Sequence, residues 1–136
     1  MIFVDTSYWI AATTEGDAHH DEARRLARTA DALLVTTNHV RGETWTFLNR
    51  RHGHSPAVAF LDRMSRALRL RIEFVSRELE EEALRWLRER GEREYSFVDA
   101  TSFAVMRSLR IREAFAFDGD FAAAGFTELR TECFFR

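Results

Sequence analysis

The sequence predicts an α/β fold, a mostly parallel sheet covered by helices on both faces, and three observations lead there. Short apolar runs alternate with segments of helical spacing along the whole chain, and that alternation packs as helices on the two faces of a parallel sheet. Two of the runs, Met1-Ile2-Phe3-Val4 and Ala114-Phe115-Ala116-Phe117, close on an acid, Asp5 and Asp118, at the strand edge where open α/β sheets bind ligands. No internal repeat or low-complexity tract interrupts the pattern.

The first run is a short buried strand ending at Asp5-Thr6-Ser7. Tyr8 to Ala12 then form the first helical turns behind it, up to a polar break at Thr13–Gly16. Asp17 opens a second helix through Ala23, Leu26 and Ala27, acidic at its start and carrying Arg24, Arg25 and Arg28 later, as the helix dipole favours. Ala32 to Thr36 is the second strand. Thr37 or Asn38 caps the next helix, with Val40, Thr44, Phe47 and Leu48 on its apolar face and Gly42 permitting close approach of another backbone.

His52-Gly53-His54-Ser55-Pro56 is the clearest punctuation, and Ser55 as cap with Pro56 at the first helical position starts a helix carrying Ala59, Phe60, Met64 and Leu68. Neither side of this break has a self-sufficient pattern, so residues 1–136 are expected to form a single domain, with a helical arm at about 38–68. Leu70 to Val75 alternates with period two, a strand. A helix from Ser76 or Arg77 to near Gly91 turns Leu79, Ala83, Trp86 and Leu87 inward. Ser96 opens another through Phe103 and Leu109, and Gly125 to Leu129 is a short last strand.

A chain of 136 residues builds a core without a staple or structural metal. Cys133 is its only cysteine, which excludes an internal disulfide and a multi-cysteine zinc cluster and suits a reducing compartment. With no signal-peptide pattern and no apolar run of membrane-spanning length, a cytoplasmic location without membrane association is expected. The formal charge of −2 says little about surface pattern, but all twenty basic residues are arginine, whose planar fork suits phosphate and carboxylate; genomic base composition accounts for the same bias.

The candidate chemistry lies in five acids, and each has a competing structural role. Asp5 is either a site carboxylate, with Thr6 and Ser7 orienting it, or a helix-cap acid. Glu43 sits inside a helix, where a solvated glutamate is common. Asp99 completes Ser96-x-x-Asp99, the pattern of a capping box. Asp118 closes its strand as Asp5 does, and Asp120 follows in a Gly-containing turn; one is a ligand and the other caps Phe121–Ala124. Acids converging on one sheet edge repel one another, and no lysine or adjacent histidine relieves them, so a hard divalent cation such as Mg²⁺ is the economical partner. That combination describes phosphodiester hydrolysis. His19, His20, His39, His52 and His54 make no zinc-ligand pattern and read as surface residues.

Taken together, Ile2-Phe3-Val4-Asp5-Thr6-Ser7, Val40-Arg41-Gly42-Glu43, Phe97-Val98-Asp99-Ala100 and Phe117-Asp118-Gly119-Asp120-Phe121 resemble PIN-domain ribonucleases, specifically the VapC-like toxins of toxin–antitoxin pairs. The resemblance covers nearly the whole chain. It implies a three-layer α/β/α fold with a five-stranded sheet of order 3-2-1-4-5. It also implies that Asp5, Glu43, Asp99 and Asp118 are the catalytic acids, with Asp5, Asp99 and Asp118 as ligands of Mg²⁺ or Mn²⁺. Thr6, Ser7 and Asp120 are accessory on this reading. The implied substrate is single-stranded or loop RNA, with Arg41, Arg50 and Arg51 as RNA contacts. A cognate antitoxin clasped by the helical arm and a homodimer are the implied partners. A PIN nuclease of RNA processing or DNA cleavage without a toxin role, and a non-catalytic PIN-like binding protein, stand as alternatives.

Overall fold

The computed structural model describes residues 1–135. In chain order the elements are β1 (Ile2–Val4), α1 (Thr6–Thr13), α2 (His20–Thr29), β2 (Leu34–Thr37), α3 (Asn38–His52), α4 (His54–Arg66), β3 (Leu70–Glu73), α5 (Arg77–Arg88), α6 (Phe97–Leu109), β4 (Glu113–Phe115), α7 (Asp120–Ala123) and β5 (Thr127–Glu128), followed by a 3₁₀ turn at Thr131–Phe135. The sheet has the order β3-β2-β1-β4-β5, and every pairing in it is parallel. This is the three-layer arrangement with the strand order the sequence led us to expect.

The layering follows from the period-two alternation of the central strands. Phe3 on β1, with Ala114 and Ala116 on and beyond β4, faces Val40, Phe103, Met106 and Phe121. Ile2, Val4 and Phe115 turn the other way onto Tyr8, Ala11, Ala23 and Leu26. The helical pair α3–α4 has its own small core of Leu48, Ala57, Phe60 and Met64, which packs on Trp9 and on Leu70 and Ile72 of β3. Between α5 and α6 the contact residues are alanines, Ala83, Ala100 and Ala104. Small side chains there let the two helix backbones come close.

Several element ends differ from the sequence expectation. α2 starts at His20 rather than Asp17, because the Asp17 carboxylate accepts the His19 N–H (2.8 Å) and holds a turn in front of the helix. α4 starts at His54, with Gly53 rather than Ser55 in the cap position. Gly53 has φ 98°, a left-handed conformation open to glycine at little cost, so one residue ends α3 and starts α4. Pro56 is then the third helical residue, still within the first turn, where a missing N–H costs no helical hydrogen bond. β4 ends at Phe115, so Asp118 stands three residues past the strand rather than at its last position. The closing 3₁₀ turn is tied back to α2, where Glu22 accepts from the Thr131 N–H (2.9 Å) and hydroxyl (2.6 Å).

Candidate active site

Parallel pairing of β1 with β4 brings the chain that leaves each strand to the same edge of the sheet. The Asp5 N–H donates to the Phe115 carbonyl (3.0 Å), extending that pairing by one residue. α1 begins at once, so Asp5 becomes its N-cap, and its Oδ2 accepts from the Ser7 N–H (3.2 Å) and hydroxyl (2.7 Å). Ser7 Oγ in turn accepts the Phe117 N–H (3.0 Å). One hydroxyl therefore orients the Asp5 carboxylate and fixes the segment that leads to Asp118.

Asp99 enters from α6. The capping box is formed as the spacing predicted: Ser96 Oγ accepts the Asp99 N–H (2.9 Å), and Asp99 Oδ2 accepts the Ser96 N–H (3.1 Å). Glu43 comes from the second turn of α3, whose cap is the Thr37 hydroxyl, an acceptor for the Val40 N–H (3.0 Å). Its Oε1 accepts from the Thr6 hydroxyl (2.6 Å). Asp118 Oδ1 accepts the Asp120 N–H (3.1 Å), and Asp120 Oδ1 accepts from Arg93 Nε (2.7 Å). The cap position of α7 is held by Gly119 and Asp120 is the first residue of the helix, so Asp120 is not the cap acid that its position suggested.

Asp5, Thr6, Ser7, Glu43, Asp99, Asp118 and Asp120 all line one pocket of about 270 Å³, with Ile10, Glu94 and Ser96 completing the wall. Asp5 and Asp99 therefore act as helix-capping acids and line the pocket at the same time. The hydrogen bonds that orient each acid engage one of its oxygens, and a carboxylate has a second with which to bind. One carboxylate oxygen each from Asp99, Asp118 and Asp120 lie within 4.8 Å of one another. Asp5 is outside that tightest trio but in the same pocket.

The electrostatics are those of an acidic cluster short of positive charge. Burial raises the Asp5 carboxyl from 3.8 to about 8, Asp118 and Asp99 adding repulsion against the pull of the Ser7 hydrogen bonds. Asp99 is raised to about 7, chiefly by burial and then by Asp120 and Asp118. Asp118, at the open rim, is raised to about 6 by desolvation, with repulsion from Asp120 and Glu128. Burial, with mutual repulsion added, thus holds three carboxyls above their ordinary range. The donor set is all oxygen, hard and anionic, and fits Mg²⁺ or Mn²⁺ rather than a soft metal.

Of the expected RNA contacts, Arg50 and Arg51 line a second groove of about 680 Å³ with Asn38, His39, Gly42, Thr46, Phe47 and Val98. Glu43 lines both concavities, so the groove and the acidic pocket adjoin at this residue. Arg41 stacks instead on Phe74, 5.6 Å from its ring centre. Sequence reasoning missed Arg93, Glu94 and Glu128. Glu128 accepts the N–H groups of Gly119 (3.3 Å) and Ala122 (3.1 Å) and so supports the Asp118–Asp120 turn from behind. Arg93 and Glu94 lie in a run of alternating charges, Glu92-Arg93-Glu94, that looks like solvated loop; only its distance from Asp99 hinted at the site.

Residues 2–127 match the PIN-domain model, and the chain belongs to the PIN-domain family. Within it, the chain is 57% identical over 136 residues to the 23S rRNA-specific endonuclease VapC20 of Mycobacterium tuberculosis, in strains CDC 1551 / Oshkosh and ATCC 25618 / H37Rv, the match covering 97% of this chain and 100% of each relative. A crystal structure of M. tuberculosis VapC20, described as a sarcin-ricin loop cleaving toxin, superposes with a TM-score of 0.92 at 55% identity, over 96% of this chain and 99% of that one.

Proposed function

We infer that this VapC20-like chain is a metal-dependent endoribonuclease and the toxin of a toxin–antitoxin pair, cutting the sarcin-ricin loop of 23S rRNA. The observation that carries the reading is the acidic pocket itself: Asp5, Glu43, Asp99, Asp118 and Asp120, each oriented by a hydrogen bond, converge there with Glu94, and burial and mutual repulsion raise three of them toward neutrality. Identity of 57% to VapC20 over 97% of the chain supports the choice of substrate.

Asp5, Asp99 and Asp118 would hold the cation, Mg²⁺ with Mn²⁺ as a substitute, and Asp120, whose carboxylate lies close to those of Asp99 and Asp118, would join them. The chemistry a bound divalent cation supplies is polarisation of the phosphodiester and activation of water. The protein's part is positioning. Glu43, held by Thr6, faces the pocket from the side that adjoins the arginine groove, where it orients the attacking water. Ser7 keeps the Asp5 oxygens in one orientation while the segment after β4 stays fixed. Arg50 and Arg51 draw flanking phosphates into the groove, a contact that positions RNA without reading its sequence. Burial of Asp5 and Asp99 strengthens the electrostatic interactions at the floor of the pocket.

For partners, a groove of about 560 Å³ between α1, α2 and α4 is walled by Tyr8, Trp9 and Phe60 and edged by Arg24, Arg28 and Arg63. An antitoxin segment with apolar anchors and acidic flanks fits it, and α4 is the expected clasp. The active form is a homodimer, measurable as solution mass. No described helix is long and apolar enough to cross a membrane.

The test is cleavage of a sarcin-ricin loop oligonucleotide beside a scrambled loop of equal composition. With Mg²⁺ the purified chain cuts the first and spares the second, and EDTA stops the reaction. Cutting that persists in EDTA, after a mock purification has excluded contaminating nuclease, would remove the metal from the mechanism. Equal cutting of both loops would remove the substrate assignment alone.

A further inference from the structure

Arg93 is the one guanidinium bonded to the acidic cluster among the described residues, and the way it is held suggests more than a surface ion pair. It lies in the loop between α5 and α6, three residues before the Ser96 cap of the helix that carries Asp99. Its Nε donates to Asp120 Oδ1 (2.7 Å), and one terminal nitrogen donates to the Asp118 carbonyl (3.3 Å). A single planar group thus reaches both ends of the Asp118-Gly119-Asp120 turn. Gly119 between them has φ 83°, and a Cβ there would come within 3.3 Å of the Arg93 terminal nitrogen. The turn is glycine where the guanidinium lies over it.

The loop itself is anchored. Tyr95 packs edge-on against Trp86 (4.8 Å between ring centres) and Phe103 (5.8 Å), and the Tyr95 N–H closes a tight turn on the Arg93 carbonyl (2.9 Å). From the opposite side Glu128 holds the Gly119 and Ala122 N–H groups. The Asp118–Asp120 turn is therefore clamped between a cation and an anion that belong to the protein. The clamp engages Oδ1 of Asp120, and a carboxylate has a second oxygen with which to bind.

We propose that Arg93 is a positioning residue for the metal site: by engaging Asp120 Oδ1 and the Asp118 carbonyl, it fixes Asp120 so that its other oxygen completes the ligand set with Asp99 and Asp118. The inference rests on the metal-dependent reading above. Outer partners of this kind set metal affinity by roughly 10–100-fold, and the forked geometry is one that lysine does not reproduce. A cation that acted only through its charge would do the opposite, since removing it would deepen the negative potential and tighten metal binding.

Mn²⁺ affinity, read from the EPR signal of the free ion without any RNA present, separates these roles in wild type, R93A, R93K, D120N and R93A/D120N. Positioning through Asp120 requires that R93A weaken Mn²⁺ binding by about tenfold, that R93K fail to restore it, and that the double variant bind no more weakly than D120N alone. Arg93 is exposed, and circular dichroism melts confirm that each variant is folded. Tighter or unchanged binding by R93A, full rescue by R93K, or a further loss on adding R93A to D120N would each overturn the role of Arg93. Absence of Mn²⁺ binding by the wild type would instead overturn the metal-dependent reading on which it rests.

Discussion

Asp5→Asn reduces RNA cleavage by roughly 10³-fold or more, since a catalytic cation contributes several kcal/mol to the transition state and each 1.4 kcal/mol or so is a factor of ten. The substitution suits the test because it is almost isosteric. The Asn side-chain oxygen still accepts from the Ser7 N–H and hydroxyl, so the cap of α1 and the link from Ser7 to Phe117 survive. What is lost is the charge of the most buried acid in the pocket, which is 2% exposed. Asp99→Asn behaves alike, because its capping bond to Ser96 also needs only an oxygen. Initial rates on the loop oligonucleotide, with circular dichroism as the control for folding, measure both. A D5N protein that is folded and cuts within a factor of a few of wild type contradicts the role given to Asp5.

The second large effect is on stability. Asp5, Asp99 and Asp118 have carboxyls raised in the folded chain from 3.8 to about 8, 7 and 6, so between those limits the folded state binds more protons than the unfolded one. Stability then falls as pH rises. Without metal, their favourable contribution is complete below the unfolded value of 3.8 and is lost progressively until pH passes about 8. Metal-free protein therefore melts at lower temperature toward alkaline pH across this window, and D5N flattens the slope by removing the group with the highest value. Mg²⁺ reverses the trend, because it binds the deprotonated acids of the folded chain. At a hundred times its dissociation constant it adds about 2.7 kcal/mol, roughly 5–10 °C for a chain of this size. Differential scanning calorimetry with EDTA and with Mg²⁺ measures the slopes. A metal-free melting temperature that rises through this window would show that the acids are not held above their ordinary range.

These expectations depend on residues of unequal legibility in the sequence. Asp5 could be read because an acid ending a buried apolar run has few places to go in a parallel sheet. The layering of helices on both faces of a parallel sheet followed from the alternation of strand and helix, whereas the order of the strands came only from the resemblance, since alternation does not say which strands are neighbours. Glu43 could not be selected by position, since nothing local separates it from a solvated helical glutamate; the resemblance singled it out, and the Thr6 hydroxyl that holds it comes from a helix 37 residues away in sequence. Asp99 was pulled two ways, between capping box and site, and one carboxylate can satisfy both, because the capping bond engages only one of its oxygens while the residue lines the pocket. Asp120 was read locally as a helix cap or ligand, whereas its partner Arg93 lies 27 residues upstream in a charged loop. Long-range pairing of this kind leaves no periodic trace. Helix starts at His20 and His54 slipped for local reasons, an Asx turn and a left-handed glycine that compete with the nearest cap signals.

Crystals soaked in Mn²⁺ and measured at its absorption edge show where the cation sits without reference to activity. The geometry described above requires an anomalous peak inside the acidic pocket, with carboxylate oxygens of Asp99, Asp118 and Asp120 as neighbours and Asp5 in or beside the coordination shell, and requires that peak to vanish in D99N. A fully folded lattice with the pocket empty at saturating Mn²⁺, or with the ion bound only at other surface acids, contradicts it.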